Sequence, residues 1–232
     1  MGEIWNGFKE AIQLLISGDD DVWTIIGLSL RVSLTATAIS LIVGVPIGSA
    51  LALSRFPGRA LVVGLVHTGM GLPPVTVGVI LSLLLFRNGP LGDLRLLYTP
   101  TAMILAQAAI AVPIVIGLTI ASLQSLDPRL RLQLMTLGAS RTQAVWWLLR
   151  EARLPILAAV MAGFGAVISE VGAAMMVGGN IKGETRVLTT ATVLEVGRGH
   201  YDVAVALSIV LLVMTYAVNL ALTTIQQRQC RQ

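Results

Sequence analysis

The chain has 232 residues, of which 55% are hydrophobic and 12% charged, and its formal net charge is +4. Soluble domains carry about 25% charged residues, so this chain has too little polar surface to cover a water-soluble globule. The composition therefore excludes a soluble domain and indicates an integral membrane protein.

The N-terminal residues predict a helix that lies on the membrane surface. Within residues 3–16 the apolar side chains fall on one helical face, as in amphipathic helices that bind the interface. A partly ordered tail is the alternative. The segment contains acidic residues and only a short apolar patch, so we expect no cleavable signal peptide.

Five apolar stretches follow, and each exceeds the roughly 20 residues that a membrane-spanning helix needs. They are too long, and too uniformly apolar, for the alternating strands of a membrane barrel. The sequence therefore predicts an all-α integral membrane protein, with a single transmembrane domain over residues 1–232 and five spans at residues 22–53, 61–86, 100–124, 155–178 and 203–225.

Prolines and glycines interrupt several of these spans. In the second span, HTGMGLPPVTVGV, we expect Pro73 and Pro74 to break the helix near mid-membrane, because proline lacks the N–H group that a helix interior needs. A helix that restarts there presents free N–H groups that favour anions, and Thr76 adds a hydroxyl. These residues are candidates for a transport pathway, and a packing kink without a ligand is the alternative.

The first and third spans contain similar features. Pro46 and Pro113 predict kinks, and Gly44 and Gly48 have the spacing that lets two membrane helices approach closely.

Two charged residues, Arg31 and Glu170, lie inside predicted spans at similar depth in the outer half of the membrane. A lone charge in a bilayer is costly, so we expect them to form an ion pair. The pair would be either a structural bridge or part of an outer gate.

Residues 127–153 form a polar, helix-prone segment between the third and fourth spans. Leu130, Leu134, Met135 and Leu137 have the spacing of one apolar face. Gly138 should then interrupt the helix, and Ser140 should cap the next one. Two short helices at an angle would make a rigid elbow, suited to dock on a separate ATPase. An ordinary amphipathic surface helix is the alternative.

The distribution of charge predicts the topology. The turn at Arg55 and Arg59, the 127–153 segment and the C-terminal tail hold nine basic and two acidic residues, whereas the opposite loops hold six basic and nine acidic residues. Cytoplasmic loops collect Lys and Arg. We therefore expect the N-terminus outside and the C-terminus in the cytoplasm.

Several kinds of catalytic or cofactor site are missing from the sequence. Neither lysine, Lys9 or Lys182, follows a glycine, so no phosphate-binding loop is present. The lone Cys230 and the separated His67 and His200 lack metal-ligand spacing. We expect no metal, no cofactor and no enzymatic activity in this chain by itself, and a membrane-embedded enzyme is disfavoured.

Several motifs resemble those of ABC-importer permeases of the molybdate, tungstate and sulfate branch, and the tungstate group most of all. They are FPGRALV (56–62), GLPPVTVGV (71–79), RNGPLG (87–92), LDPRLRLQLMTLGASRTQAVWWLLREARLPIL (126–157) and AVISEVGAAMMVGGNI (166–181). The resemblance covers residues 20–225. There are two departures: Leu132, Gln133 and Leu134 replace the family's Glu-Ala-Ala, and the spacing from Gly138 to Leu154 is about one helical turn longer.

The resemblance implies the type I ABC-importer permease fold and a homodimer in the cell membrane. It also implies two cytoplasmic ATPase subunits, which would hold ATP and magnesium, and an extracytoplasmic binding protein. The coupling turn would comprise Leu137, Gly138, Ala139 and Ser140, with Arg141 next to it. Glu170, Gly172 and the residues up to Asn180 would line or support the outer gate.

The function that we expect is that of the permease subunit of an ATP-driven tungstate importer. Molybdate or sulfate is the alternative substrate. A stand-alone secondary transporter or channel is the alternative of another class.

Overall fold

The computed structural model describes residues 20–230, and within that range the chain forms helices and turns without a β-strand. The predicted all-α class is confirmed. The helices are α1 (Asp20–Leu53), α2 (Arg59–Met70), α3 (Pro74–Leu85), α4 (Pro100–Gln124), α5 (Pro128–Thr136), α6 (Arg141–Glu151), α7 (Arg153–Ile168), α8 (Gly172–Gly178), α9 (Leu188–Arg198) and α10 (Tyr201–Cys230). The predicted surface helix over residues 3–16 lies outside the described residues.

Three helices are long and apolar enough to cross a membrane alone: α1, α4 and the Tyr201–Thr224 part of α10. Two further pairs qualify only when each pair is taken together. The α2–α3 pair is bent by 99° and the α6–α7 pair by 70°. Length and composition therefore allow three to five spans among the described residues, and the count of five remains a prediction.

Polar side chains in α1 are satisfied by the helix's own backbone. The hydroxyls of Ser29, Thr37 and Ser49 donate to carbonyl oxygens one turn earlier, at 2.6–2.7 Å. Such internal bonds mean that these three hydroxyls need no water, which suits a 34-residue helix in an apolar setting.

Helices α1 and α4 form the centre of the fold through a close contact at glycines. A Cβ atom on Gly44 would lie 2.7 Å from Val115 Cγ1, and one on Gly48 would lie 2.7 Å from Thr119 Cβ. Since a Cβ does not fit at such distances, only glycine permits this approach. The close helix contact predicted from Gly44 and Gly48 is confirmed.

The fourth predicted span differs from the structure. Instead of one helix over residues 155–178, α7 ends at Ile168 and the short α8 begins at Gly172. The Thr189 hydroxyl donates to the Glu170 carbonyl oxygen at 3.0 Å. In a continuous helix this carbonyl would accept a backbone N–H. Here Thr189, which lies outside the predicted span, supplies the hydrogen bond instead.

Candidate functional site

The helix break at the double proline is present as predicted. Pro73 has extended backbone geometry, and α3 begins at Pro74. The N–H groups of Thr76 and Val77 both donate to the Pro73 carbonyl, at 2.9 and 3.3 Å. The two prolines have no N–H. In the first turn, the Val75 N–H is therefore the amide for which no acceptor is found among the described residues. The helix start thus offers an anion fewer free donors than we expected.

Helix α3 packs against α8, which brings together two motifs that are far apart in the sequence. A Cβ on Gly172 would lie 2.5 Å from Val75 Cγ2, and a Cβ on Gly78 would lie 2.8 Å from Ala173 Cα. The Ser82 hydroxyl donates to the Met176 carbonyl at 3.0 Å. Helices α3 and α8 therefore lie side by side in one contact region, which we call the gate contact.

Glu170 lies in the break that precedes α8. Its side chain is buried, at 8% exposure, and its Oε1 accepts a hydrogen bond from the Ala173 N–H at 2.9 Å. This carboxyl group satisfies one of the free amides at the start of the helix, as a capping side chain does.

The predicted ion pair between Arg31 and Glu170 is wrong for this structure. Arg31 is exposed on α1, and the ion pairs found in the part of the chain that is described join other residues, namely Lys182 with Asp21, and Glu195 with Arg198 and His200. The free-energy cost of burying the Glu170 carboxyl group is offset by the hydrogen bond from the nearby Ala173 N–H rather than by a pairing with Arg31.

Asn180 lies at the opposite end of α8 from Gly172 and does not join the gate contact. Its backbone φ is 54°, and its side-chain Nδ2 donates to the Thr190 carbonyl at 3.3 Å. Thr185 closes the same loop, since its hydroxyl accepts from the Ile181 N–H at 3.0 Å. Asn180 therefore ties the loop after α8 to α9.

The structure confirms the predicted elbow between α5 and α6. Gly138 has a φ of 86°, in the left-handed region that glycine tolerates. The Ser140 hydroxyl accepts from the Gln143 N–H at 3.3 Å, and the Gln143 side chain accepts from the Ser140 N–H at 2.8 Å. This reciprocal pair is a capping box, and it fixes the start of α6 directly after the turn.

The elbow presents an apolar tip to the exterior. Leu137 is 85% exposed, while Leu130 and Leu134 pack against a cluster that includes Leu123 of α4 and Leu148 of α6. The four residues of the predicted apolar face therefore do not share one environment. Leu130 and Leu134 face the packed cluster, whereas Leu137, next to the turn at Gly138, is exposed.

A hydrogen bond ties the elbow to the first span. Arg131 Nη1 donates to the Leu53 carbonyl at 2.8 Å, and Arg59 Nε donates to the Leu51 carbonyl at 2.7 Å. Free carbonyls at a helix end attract cations. The two arginines therefore supply the last turn of α1 with the basic partners that the helix itself lacks.

Sequence reasoning missed Ser82, Gly78 and Thr189, which hold the gate contact and the break together. No local signal could have identified Ser82 or Thr189, since their partners lie 94 and 19 residues away. Gly78 does share the proline-glycine motif and could have been recognised as a close-contact position.

Comparison with known proteins places these features in a family. The pattern of the family described as "Binding-protein-dependent transport system inner membrane component" matches residues 44–231. A tungstate uptake system permease protein, TupB, from Peptoclostridium acidaminophilum is 41% identical over 98% of this chain and 100% of that protein. A probable anion ABC transporter permease protein from Haloferax volcanii is 39% identical over 84% of this chain and 87% of its own length.

More distant relatives share the fold or part of the chain. The molybdenum transport system permease protein ModB from Haemophilus influenzae is 31% identical over 72% of this chain and 76% of that protein. A solved structure of an amino acid ABC transporter with histidines matches with a TM-score of 0.68 and 19% identity, covering 92% of this chain and 96% of that one. The latter likeness shows a shared fold.

Proposed function

This chain belongs to the family of inner membrane components of binding-protein-dependent transport systems, and we propose that the substrate it carries is tungstate. Members of this family are permease subunits of ABC importers, transport components without catalytic activity of their own. The family implies two kinds of partner, an ATPase and a binding protein. The chain is accordingly a multi-pass membrane protein with the permease fold.

The observation that carries the substrate assignment is the match with the tungstate uptake permease, which runs over nearly the full length of both chains at 41% identity. The molybdenum permease matches at 31% over 72% of this chain. Full-length similarity matters here because both the gate contact and the elbow fall within it.

We propose that the gate contact is where the anion passes. Pro73, Pro74 and Thr76 at the start of α3 would meet Glu170 and Gly172 at the start of α8. The scarcity of free amides and cations there favours transit, since a pathway must bind its ion weakly enough to release it. Asn180 would support this region indirectly by holding the loop after α8. Selectivity would then rest mainly with the binding protein.

We propose that the turn from Leu137 to Arg141 is the contact with the ATPase. The exposed Leu137 tip, the left-handed Gly138 and the capped start of α6 make a small, rigid and apolar projection, and Ala139, Ser140 and Arg141 complete it. Movement of the ATPase would reach the spans through α6 and through the Arg131 bond to α1. ATP and magnesium would be bound by the ATPase, with no cofactor held by this chain.

In the assembled importer, two copies of this chain would form a homodimer around the pathway, and each would act as a single domain. Its N-terminus would face outward and its C-terminus the cytoplasm, because the basic residues concentrate in the loops on the same side of the membrane as the C-terminus.

Two contacts support the assignment of these loops to opposite sides of the membrane. Arg131 meets the end of α1, and Lys182 pairs with Asp21 at the start of α1, at 2.5 Å.

Elemental analysis of cells tests the substrate. A strain that lacks this chain, and the same strain with the chain restored, would be grown in scarce tungstate with equal molybdate. We expect loss of the chain to lower cellular tungsten at least tenfold and to leave molybdenum nearly unchanged. Equal loss of both metals would instead assign a general molybdate and tungstate permease.

A further inference from the structure

A cavity of about 710 Å³ lies between the C-terminal part of α1 and the elbow. Its size is within the range of sites that hold small organic ligands. Most of its wall is apolar, and the apolar lining includes Val45, Pro46 and Leu53 from α1 and Val145, Leu148 and Leu149 from α6. Arg131 and Met135 of α5 line it as well, so the cavity lies between one span, α1, and both helices of the elbow.

Three arginines, Arg55, Arg131 and Arg141, line the same cavity, and no acidic residue does. None of the three forms an ion pair with another residue of the described chain. Arg131 donates one hydrogen bond to the Leu53 carbonyl, which leaves its remaining N–H groups without a carboxylate. Three positive charges without an internal counter-charge make a local field that attracts an anion.

The apolar wall continues along α1 away from the elbow. Ile42 lies one helical turn before Pro46 on the same face and is 74% exposed. An inorganic anion would use the arginines and leave this apolar strip uncovered. A molecule with an anionic head and a hydrocarbon chain would use both.

We propose that this cavity binds an anionic phospholipid. The headgroup phosphate lies among Arg55, Arg131 and Arg141, where guanidinium groups match phosphate oxygens in charge and geometry. One acyl chain follows Pro46 and Ile42 toward the membrane interior. Basic pockets at the cytoplasmic ends of membrane helices suit such lipids, and the lipid would join the elbow to the first span.

The experiment compares two lipids with identical acyl chains. The full-length chain, purified in a neutral detergent, would be titrated with phosphatidylglycerol or with phosphatidylcholine, and bound lipid measured by native mass spectrometry. We expect phosphatidylglycerol to bind at least tenfold more tightly. The double variant Arg55→Gln with Arg141→Gln should lose this preference, and it retains Arg131, which bonds to α1.

The matched control is the double variant Arg87→Gln with Arg95→Gln, which removes two exposed arginines from the loop between α3 and α4. It should keep the preference for phosphatidylglycerol. Equal affinity for the two lipids, or an unchanged preference in the Arg55 and Arg141 variant, would overturn the proposal. Displacement of the lipid by millimolar inorganic phosphate would also overturn it and would assign a free-anion site instead.

Discussion

At the scale of single residues, Glu170 shows how this chain accommodates a carboxyl group among apolar neighbours. Its Oε1 accepts from the Ala173 N–H, and its own carbonyl oxygen accepts from Thr189. Both bonds hold the break between α7 and α8 open. The residue is therefore a fixed part of the gate contact rather than a mobile charge.

Two substitutions of Glu170 distinguish the contribution of its hydrogen bond to stability from the contribution of its charge. Glu170→Ala removes the acceptor for the Ala173 N–H and should lower stability by about 1–2 kcal/mol, the usual cost of a lost helix cap. Glu170→Gln keeps an oxygen in the same place and should lose less than half of that. Unfolding in detergent measures both values. Equal losses would show that the charge, and not the cap, is what stabilises the break.

Arg131 offers a second test at the same scale. Arg131→Ala removes the bond to the Leu53 carbonyl and should destabilise the chain by about 0.5–1 kcal/mol in neutral detergent, a value reduced by solvent exposure. Arg129→Ala is the matched control, because no hydrogen bond from the Arg129 side chain is found among the described residues. If the two variants unfold alike, the elbow is not tied to α1 by this bond.

At the scale of elements, the sequence predicted those breaks that have a local cause. Pro73 and Pro74 lack N–H groups, Gly138 permits a left-handed turn, and Ser140 with Gln143 forms a cap within four residues. The break at Glu170 was missed because no proline marks it. The break is stabilised by the Thr189 hydroxyl, which donates to the Glu170 carbonyl oxygen, and by the Glu170 side chain, which accepts from the Ala173 N–H. Hydropathy alone does not detect such bonds and predicts one continuous span.

The elbow makes the sharpest prediction for an element. Leu137→Asp places a charge at an 85% exposed position, so folding should be unaffected. Docking on the ATPase would bury that charge without a partner, which is costly. We expect at least a tenfold loss of ATPase subunit that co-purifies with the chain.

The control for this variant is Leu94→Asp, which adds the same charge to an exposed leucine in the loop between α3 and α4. It should leave co-purification unchanged. Normal recovery of the ATPase with Leu137→Asp would remove the elbow tip from the interface.

At the scale of the whole molecule, the residues that each motif contacts could not be predicted from the chain's own residues, although the family resemblance implied the fold. Composition and run length gave the all-helical membrane class, since both depend only on which residues are present. The gate contact instead joins Val75 to Gly172, and the central packing joins Gly44 to Val115. These pairs depend on tertiary packing, for which a single sequence carries no direct signal.

On the pathway that we propose, the gate contact offers few charges to capture the anion, and the described chain holds no energy source to concentrate it. The chain needs a binding protein to deliver the substrate and an ATPase to change its conformation, and it shifts between states only as those partners bind each state differently. Transport by the chain alone should therefore be negligible.

The most direct measurement is uptake of radiolabelled tungstate into vesicles that contain this chain, its ATPase and its binding protein. We predict uptake that requires both ATP and the binding protein, and that falls to background when the ATPase is omitted. Equal uptake without ATP, or by vesicles that hold this chain alone, would contradict the account and indicate a channel or a secondary transporter.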